Sequence, residues 1–277
     1  MRSMSAAEDY LLDFHQRFTG ATSAAFAHLP ARSKSAEFAS SYHVLASLVD
    51  VSSAARVVVD LGCGDGYLLK VLADRDWRSS RLIGVDMSQH ELDAARKRLP
   101  DSVSLLRERA QSLSIETGTV DIVLSHMAVM LMGDADRVVA EIRRILHPGG
   151  VFAAIVGREF LLGEANDALR EVFRPIARNS LAPLAFGDSR TRDEAGWREL
   201  FGSAFNALTF EDVDVPWQPT PDALWHSLLE TYDIDRLPDE ARDELQTRLL
   251  AAFARLAQAD GTIRTGFGLR LIRAHAV

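Results

Sequence analysis

The chain has 277 residues, 47% hydrophobic and 25% charged, ordinary values for a soluble globular protein with room for one large domain or a core with an appended lid. A net charge of −8 and a pI near 5.5 argue against broad, phosphate-driven binding of nucleic acid. The one cysteine, Cys63, excludes an internal disulfide and a cysteine-based zinc cluster. No N-terminal apolar run reads as a signal peptide and no stretch approaches a membrane span, so the expected location is the cytoplasm.

Residues 1–6 read as a frayed end. From Tyr10 the spacing is helical, with Leu11, Phe14 and Phe18 on one face and an end near Gly20. A polar and basic loop covers 27–34, and a second helix is expected to carry Phe38, Tyr42, Leu45 and Val49. Both helices are expected to pack on the core and to close over a ligand.

Strands and helices then alternate. The strand at 56–61 ends in Asp60 and Leu61 and runs into Gly62-Cys63-Gly64-Asp65-Gly66, followed by a helix over 67–73. A second strand, 81–85, ends in Asp86 and leads to a helix over 89–99 that Ser88 can cap, with Glu91 in its first turn. A short third strand falls at 103–106. A fourth, 120–124, is followed by an apolar segment, 127–132. The next helix has Val138, Ile142 and Ile145 on one face and is expected to stop at His147-Pro148-Gly149-Gly150, before a strand at 151–156. Such alternation predicts an α/β fold, a doubly wound and mainly parallel sheet, expected to have seven strands. Its ligand edge should gather Gly62 to Gly66, Asp86, Ala110, Gln111, Ser125 and His126.

Beyond residue 157 the pattern is mixed, with Pro175, Pro183 and Gly187 as expected breaks. A capping box at Thr191 to Glu194 precedes a helix with Trp197, Leu200 and Phe201. A strand is expected at 208–215. A helical insertion follows, with Leu224, Leu228 and Tyr232 aligned in one helix and Leu245, Leu249, Phe253 and Leu256 in the next. A last strand covers 266–273. The organisation expected is a single domain over 1–277: a helical cover at 7–50, a cofactor-binding core at 56–157, and lid insertions at 158–190 and 216–261.

The glycine turn is built to let backbone approach a ligand, beside the unpaired N–H groups of a helix start. It reads G-x-G-x-G, with Tyr67 where the dinucleotide fingerprint has its third glycine. The stretch Val58-Val59-Asp60-Leu61-Gly62-Cys63-Gly64-Asp65-Gly66, with Ile83-Gly84-Val85-Asp86-Met87-Ser88 after it, closely resembles class I S-adenosylmethionine-dependent methyltransferases. Val120-Asp121-Ile122-Val123-Leu124-Ser125 and Leu146-His147-Pro148-Gly149-Gly150 match two further motifs of that family in the expected order, over roughly residues 56–157. The resemblance implies a Rossmann-like methyltransferase fold, S-adenosyl-L-methionine as cofactor and a methyl acceptor as partner.

It also implies roles. Gly62, Gly64 and Gly66, with Cys63 as a small residue between them, would lie against the methionyl part. Asp60 would fix the turn or bind the cofactor amino group. Asp86 would accept from both ribose hydroxyls, and Met87 would pack on adenine. Ala110 and Gln111 would meet the adenine edge, with Arg109 standing where the family commonly has an acid. Ser125 belongs to the same cofactor-binding set.

Methyl transfer from a sulfonium needs an in-line nucleophile about 3 Å from the methyl carbon, and a base only when that nucleophile is poor. His126, just past the fourth strand, is the best candidate base. Tyr10, His15, Tyr42, His43, Arg158, Trp225, His226 and Tyr232 are further pocket candidates, and Arg32, Lys34 or Tyr42 would meet the cofactor carboxylate. The Asn/Asp-Pro-Pro-Tyr motif of amine methylation on nucleic acids is replaced by Ser125-His126-Met127-Ala128. Charge and motif therefore point to a small, apolar or aromatic acceptor, methylated on O, N or C, as in the ubiquinone/menaquinone-type and natural-product branch. The alternatives are an NAD-dependent dehydrogenase, a non-catalytic cofactor-binding protein of the same fold, and a protein or nucleic-acid methyltransferase. The sequence leaves the oligomeric state open.

Overall fold

A computed structural model describes residues 4–34, 36–50, 56–75 and 81–277. Part of the expected frayed end (1–3) and a stretch of the expected core (76–80) lie outside them. In chain order the elements are α1 (Ala6–Arg17), α2 (Ala21–Phe26), β1 (Ala31–Arg32), β2 (Glu37–Phe38), α3 (Ser41–Ser47), β3 (Val57–Leu61), α4 (Tyr67–Ala73), β4 (Arg81–Asp86), α5 (Gln89–Arg98), β5 (Ser104–Arg107), β6 (Val120–His126), α6 (Ala135–Ile145), β7 (Leu146–Glu159), α7 (Glu164–Ser180), α8 (Glu194–Phe201), β8 (Phe205–Trp217), α9 (Pro221–Leu229), α10 (Tyr232–Asp235), α11 (Asp239–Leu256) and β9 (Thr265–Ala276).

The strands form one sheet in the order β2-β1-β8-β9-β7-β6-β3-β4-β5. Strands β5, β4, β3, β6 and β7 are parallel, and β9 enters antiparallel between β7 and β8. The fully buried Val58, Val59 and Leu61 explain why β3 is central: an apolar run needs cover on both faces. Chain direction across the sheet reverses between β3 and β6, and the crevice at that point is where doubly wound sheets bind ligands. One apolar cluster packs α6 and α8 on one face of the sheet; a second packs α3 and α4 on the other.

The sheet has nine strands rather than the expected seven. The additional pair, β1 and β2, is a two-residue hairpin inside the stretch expected to be loop and helix, so Phe38 is extended and α3 begins only at Ser41. Pro148, Gly149 and Gly150 do not end α6. That helix stops at Ile145, Leu146 already pairs with Val120, and the glycines occupy an irregularity within β7 before Val151 pairs with Ile122. Pro175 does not break its segment either. It sits inside the 17-residue α7, where Ala165, Leu169, Val172 and Ile176 face a third apolar cluster shared with α9 and α11. Burial along that stripe outweighs the ~3 kcal/mol that an interior proline costs. Tyr232 does not continue the helix of Leu224 and Leu228 but opens the short α10.

Candidate functional site

The C-terminal ends of β3, β4 and β6, with the segment after β5, surround a cleft of about 1030 Å³ including space open to solvent. Asp60, Gly62, Cys63, Gly64, Asp86, Met87, Ala110, Gln111 and His126 all line it.

The glycine turn is fixed by its own backbone. The N–H groups of Gly62 and Cys63 both donate to the Val85 carbonyl, at 2.8 and 3.0 Å, tying the turn to the neighbouring strand. Gly62 has φ +74°, and a Cβ there would stand 2.4 Å from that of Ala128, so no side chain fits. Gly66 belongs to the scaffold: a Cβ there would meet Leu99 and Ala95 of α5, and it does not line the cleft. Ser125 also lies behind the wall. Its fully buried hydroxyl donates to the Leu61 carbonyl at 2.8 Å and accepts from the Val129 N–H at 3.2 Å, pinning β6 to β3.

Asp86 ends β4 with one carboxylate oxygen accepting the Gly64 N–H at 2.9 Å and the other the Ser88 N–H at 2.8 Å. Each oxygen keeps a second lone pair for a ligand. Burial raises the Asp86 pKa, although the two N–H bonds pull it down. Asp60 is 1% exposed and its Oδ1 has no partner among the described residues. Burial, followed by the charges of Asp86 and Asp65, pushes its pKa up to about 8. An orphaned carboxylate oxygen among three acids, beside a turn of bare backbone, calls for a cation. Cys63 is buried, its thiol pushed up by burial and by the nearby carboxylates, and it stays a protonated, unreactive side chain.

His126 ends β6 and shares a 2.8 Å hydrogen bond between Nε2 and the Ser41 hydroxyl. Its ring stacks on Tyr42 at 3.8 Å between centroids and meets Phe26 edge-on. Nδ1 has no partner among the described residues. Burial pushes the imidazole down to about 3, so it stands neutral at working pH. Met127 follows with φ 54°, a left-handed conformation that turns the chain sharply out of the strand.

The cover contributes residues the sequence reading did not assign. Leu11, Gly20, Thr22, Ser23 and Glu8 line the cleft, along with His15, Tyr42 and Tyr232 from the wider candidate set. Tyr10, His43, Arg158, Trp225, His226, Arg32 and Lys34 do not: Trp225 packs in the third apolar cluster, and Arg158 pairs with Asp214. Arg109 is bound by an ion pair to Glu8 of α1. Gln111 donates its side-chain amide to the Gly133 carbonyl at 2.7 Å. Glu91, 2% exposed, holds His15 and the Gly20 N–H. One signal could have found it: Glu91, Ala95 and Leu99 recur at four-residue steps, placing an acid on the buried face of α5.

A doubly wound sheet with a glycine turn at its switch point and an acid ending the adjacent strand defines a protein built to bind a nucleoside-containing cofactor. Residues 59–154 match the family model of a methyltransferase domain, which supports for that segment the resemblance to class I S-adenosylmethionine-dependent methyltransferases. It is 33% identical over 106 residues to a trans-aconitate 2-methyltransferase of Azoarcus sp. (38% of this chain, 41% of that one). It is 30% identical over 158 residues to a malonyl-[acyl-carrier protein] O-methyltransferase of Salmonella typhimurium (56% and 59%). The chain thus spans from two fifths to three fifths of the length of these relatives. Among solved structures it resembles a provisionally assigned type II methyltransferase from Anaeromyxobacter dehalogenans, with a TM-score of 0.61 at 20% identity, covering 84% of this chain and 93% of that one. The YcgJ protein of Bacillus subtilis gives 0.54 at 16%, covering 85% and 97%. At these identities the structures speak for the fold. No helix of the described residues is long and apolar enough to cross a membrane.

Proposed function

We propose that the chain transfers a methyl group from S-adenosylmethionine to an O, N or C atom of a small, apolar or aromatic molecule by in-line displacement. The observation that carries the reading is the pair of carboxylates flanking the glycine turn. Asp60, with its orphaned Oδ1, suits the cofactor ammonium; Asp86, with a spare lone pair on each oxygen, suits the two ribose hydroxyls. Gly62 and Gly64 give room for the methionyl chain, Met87 packs on the adenine, and Ala110 and Gln111 meet its edge. The cofactor supplies an electrophilic methyl group on a positively charged sulfur.

The residues around it bind, orient and exclude water. His126, neutral and held by Ser41, offers Nδ1 to the O–H or N–H of the acceptor and aligns its lone pair. With a pKa near 3 it takes up a proton only as the nucleophile becomes acidic during attack, so most of the acceleration comes from positioning. The Tyr42 and Phe26 rings beside it favour a flat, apolar acceptor. A cleft lined by Asp65, Asp86, Glu91 and Glu108 repels a polyanion, which supports a small molecule over nucleic acid in the cytoplasm.

The test is incubation with methyl-deuterated S-adenosylmethionine and a panel of phenols, hydroxyquinones and amines, with S-adenosylhomocysteine and labelled product read by mass spectrometry. Labelled small-molecule product is expected, with the His126→Asn variant reduced in kcat by about tenfold or more at unchanged cofactor affinity. Label appearing only in added protein or RNA would contradict the acceptor class.

A further inference from the structure

The N-terminal segment forms one wall of the cleft. Glu8, Leu11 and His15 lie on one face of α1 and line it, and Gly20 and Ser23 continue that wall. Polar ties fasten this wall to the opposite one along its length. At one end Glu8 pairs with Arg109. In the middle, Glu91 of α5 accepts the Gly20 N–H on both oxygens, at 3.1 and 3.2 Å, and meets His15 Nδ1 at 2.8 Å. At the other end the Ser23 hydroxyl donates to Asp65 at 2.5 Å.

The geometry points to Glu91 as a positioning residue of the cofactor site, the latch that holds the segment from Ser5 to Phe26 over bound cofactor and must release for the cofactor to enter or leave. Three observations carry this. Glu91 is a buried carboxylate whose side-chain partners among the described residues, His15 and the Gly20 N–H, both belong to the N-terminal segment, so lifting that segment leaves a buried polar group that water must satisfy. It stands against the middle of the cofactor turn, its Oε2 3.8 Å from the place a Cβ on Gly64 would occupy. His15 passes the tie outward, its Nε2 lying 3.3 Å from the Tyr232 hydroxyl of α10, while Arg17 and Tyr10 both hold Asp235. The latch therefore joins the glycine turn to the lid through α1. This inference rests on reading the cleft as an S-adenosylmethionine site.

Hydrogen exchange of residues 6–26 and the release rate of S-adenosylhomocysteine, chased with excess unlabelled nucleoside, test it together. Bound S-adenosylhomocysteine is expected to slow exchange across 6–26. Glu91→Gln and His15→Asn are expected to speed release by about tenfold or more, with Ser23→Ala giving a smaller rise in the same direction. His15 is part-exposed, so its variant keeps the test valid if Glu91→Gln does not fold. Folded variants that bind S-adenosylhomocysteine and release it at the native rate, or exchange at 6–26 indifferent to it, would overturn the latch alone. A native chain that does not bind S-adenosylhomocysteine overturns the cofactor reading, and the latch with it.

Discussion

Asp60 shows most directly how an environment selects a ligand. Its carboxyl is buried, unpaired on one oxygen and held near pKa 8 by burial and by Asp86 and Asp65. In the free protein it is therefore largely protonated at pH 7, whereas in the unfolded chain it ionises near the ordinary carboxylate value. Between those two values the native state binds more protons than the unfolded state, so this residue's contribution to stability falls as pH rises from about 4 to 8. An ammonium placed against Oδ1 reverses the preference and draws the proton off. Binding of S-adenosylhomocysteine at pH 7 is accordingly expected to release a substantial fraction of a proton, measured by calorimetry in two buffers of different ionisation enthalpy. Asp60→Asn should abolish the release and flatten the stability slope between pH 5 and 8. Equal heats in both buffers for the native chain would place the ammonium elsewhere.

At the scale of elements, the site is set by where strands end. Leu61, Asp86 and His126 terminate adjacent parallel strands, and Ser125 fixes two of those ends to each other. Ser125→Ala removes a buried donor and leaves the Leu61 carbonyl short of a partner, so a loss of about 1–3 kcal/mol in urea unfolding is expected, with affinity for S-adenosylhomocysteine nearly unchanged. A collapse of affinity without loss of stability would instead make Ser125 a direct ligand. The strand-and-turn core was legible in the sequence because local chemistry dictates it: β-branched runs, a turn that only glycine can make, and acids at strand ends. The hairpin of β1 and β2 was not, because two-residue strands carry no period. The persistence of α7 through Pro175 was hidden too, since tertiary burial overrides a local breaker there. The same limit applied to the partners of Glu91, whose burial alone its spacing on α5 could signal, and to the Glu8–Arg109 pair, since these contacts join segments 76 and 101 residues apart.

The whole molecule divides its labour around one sheet. The parallel half supplies the turn and most acids of the cleft, the antiparallel half carries a helical layer of α7, α9 and α11 with its own apolar cluster, and α1 ties the two together through His15 and Tyr232. Phe267 packs against both the third apolar cluster and the cluster beneath α3, and its ring meets Phe26, which in turn meets His126. The third apolar cluster and the His126 side of the cleft are thus one continuous packing unit. This architecture is expected to hold S-adenosylmethionine. Titration calorimetry of the native chain and of Asp86→Ala with S-adenosylmethionine, S-adenosylhomocysteine and NAD tests it most directly. One site is expected for either sulfur nucleoside, none for NAD, and at least about tenfold weaker binding in the variant as two charge-assisted ribose bonds are lost. Heat from NAD alone, or undiminished affinity in Asp86→Ala, would contradict it.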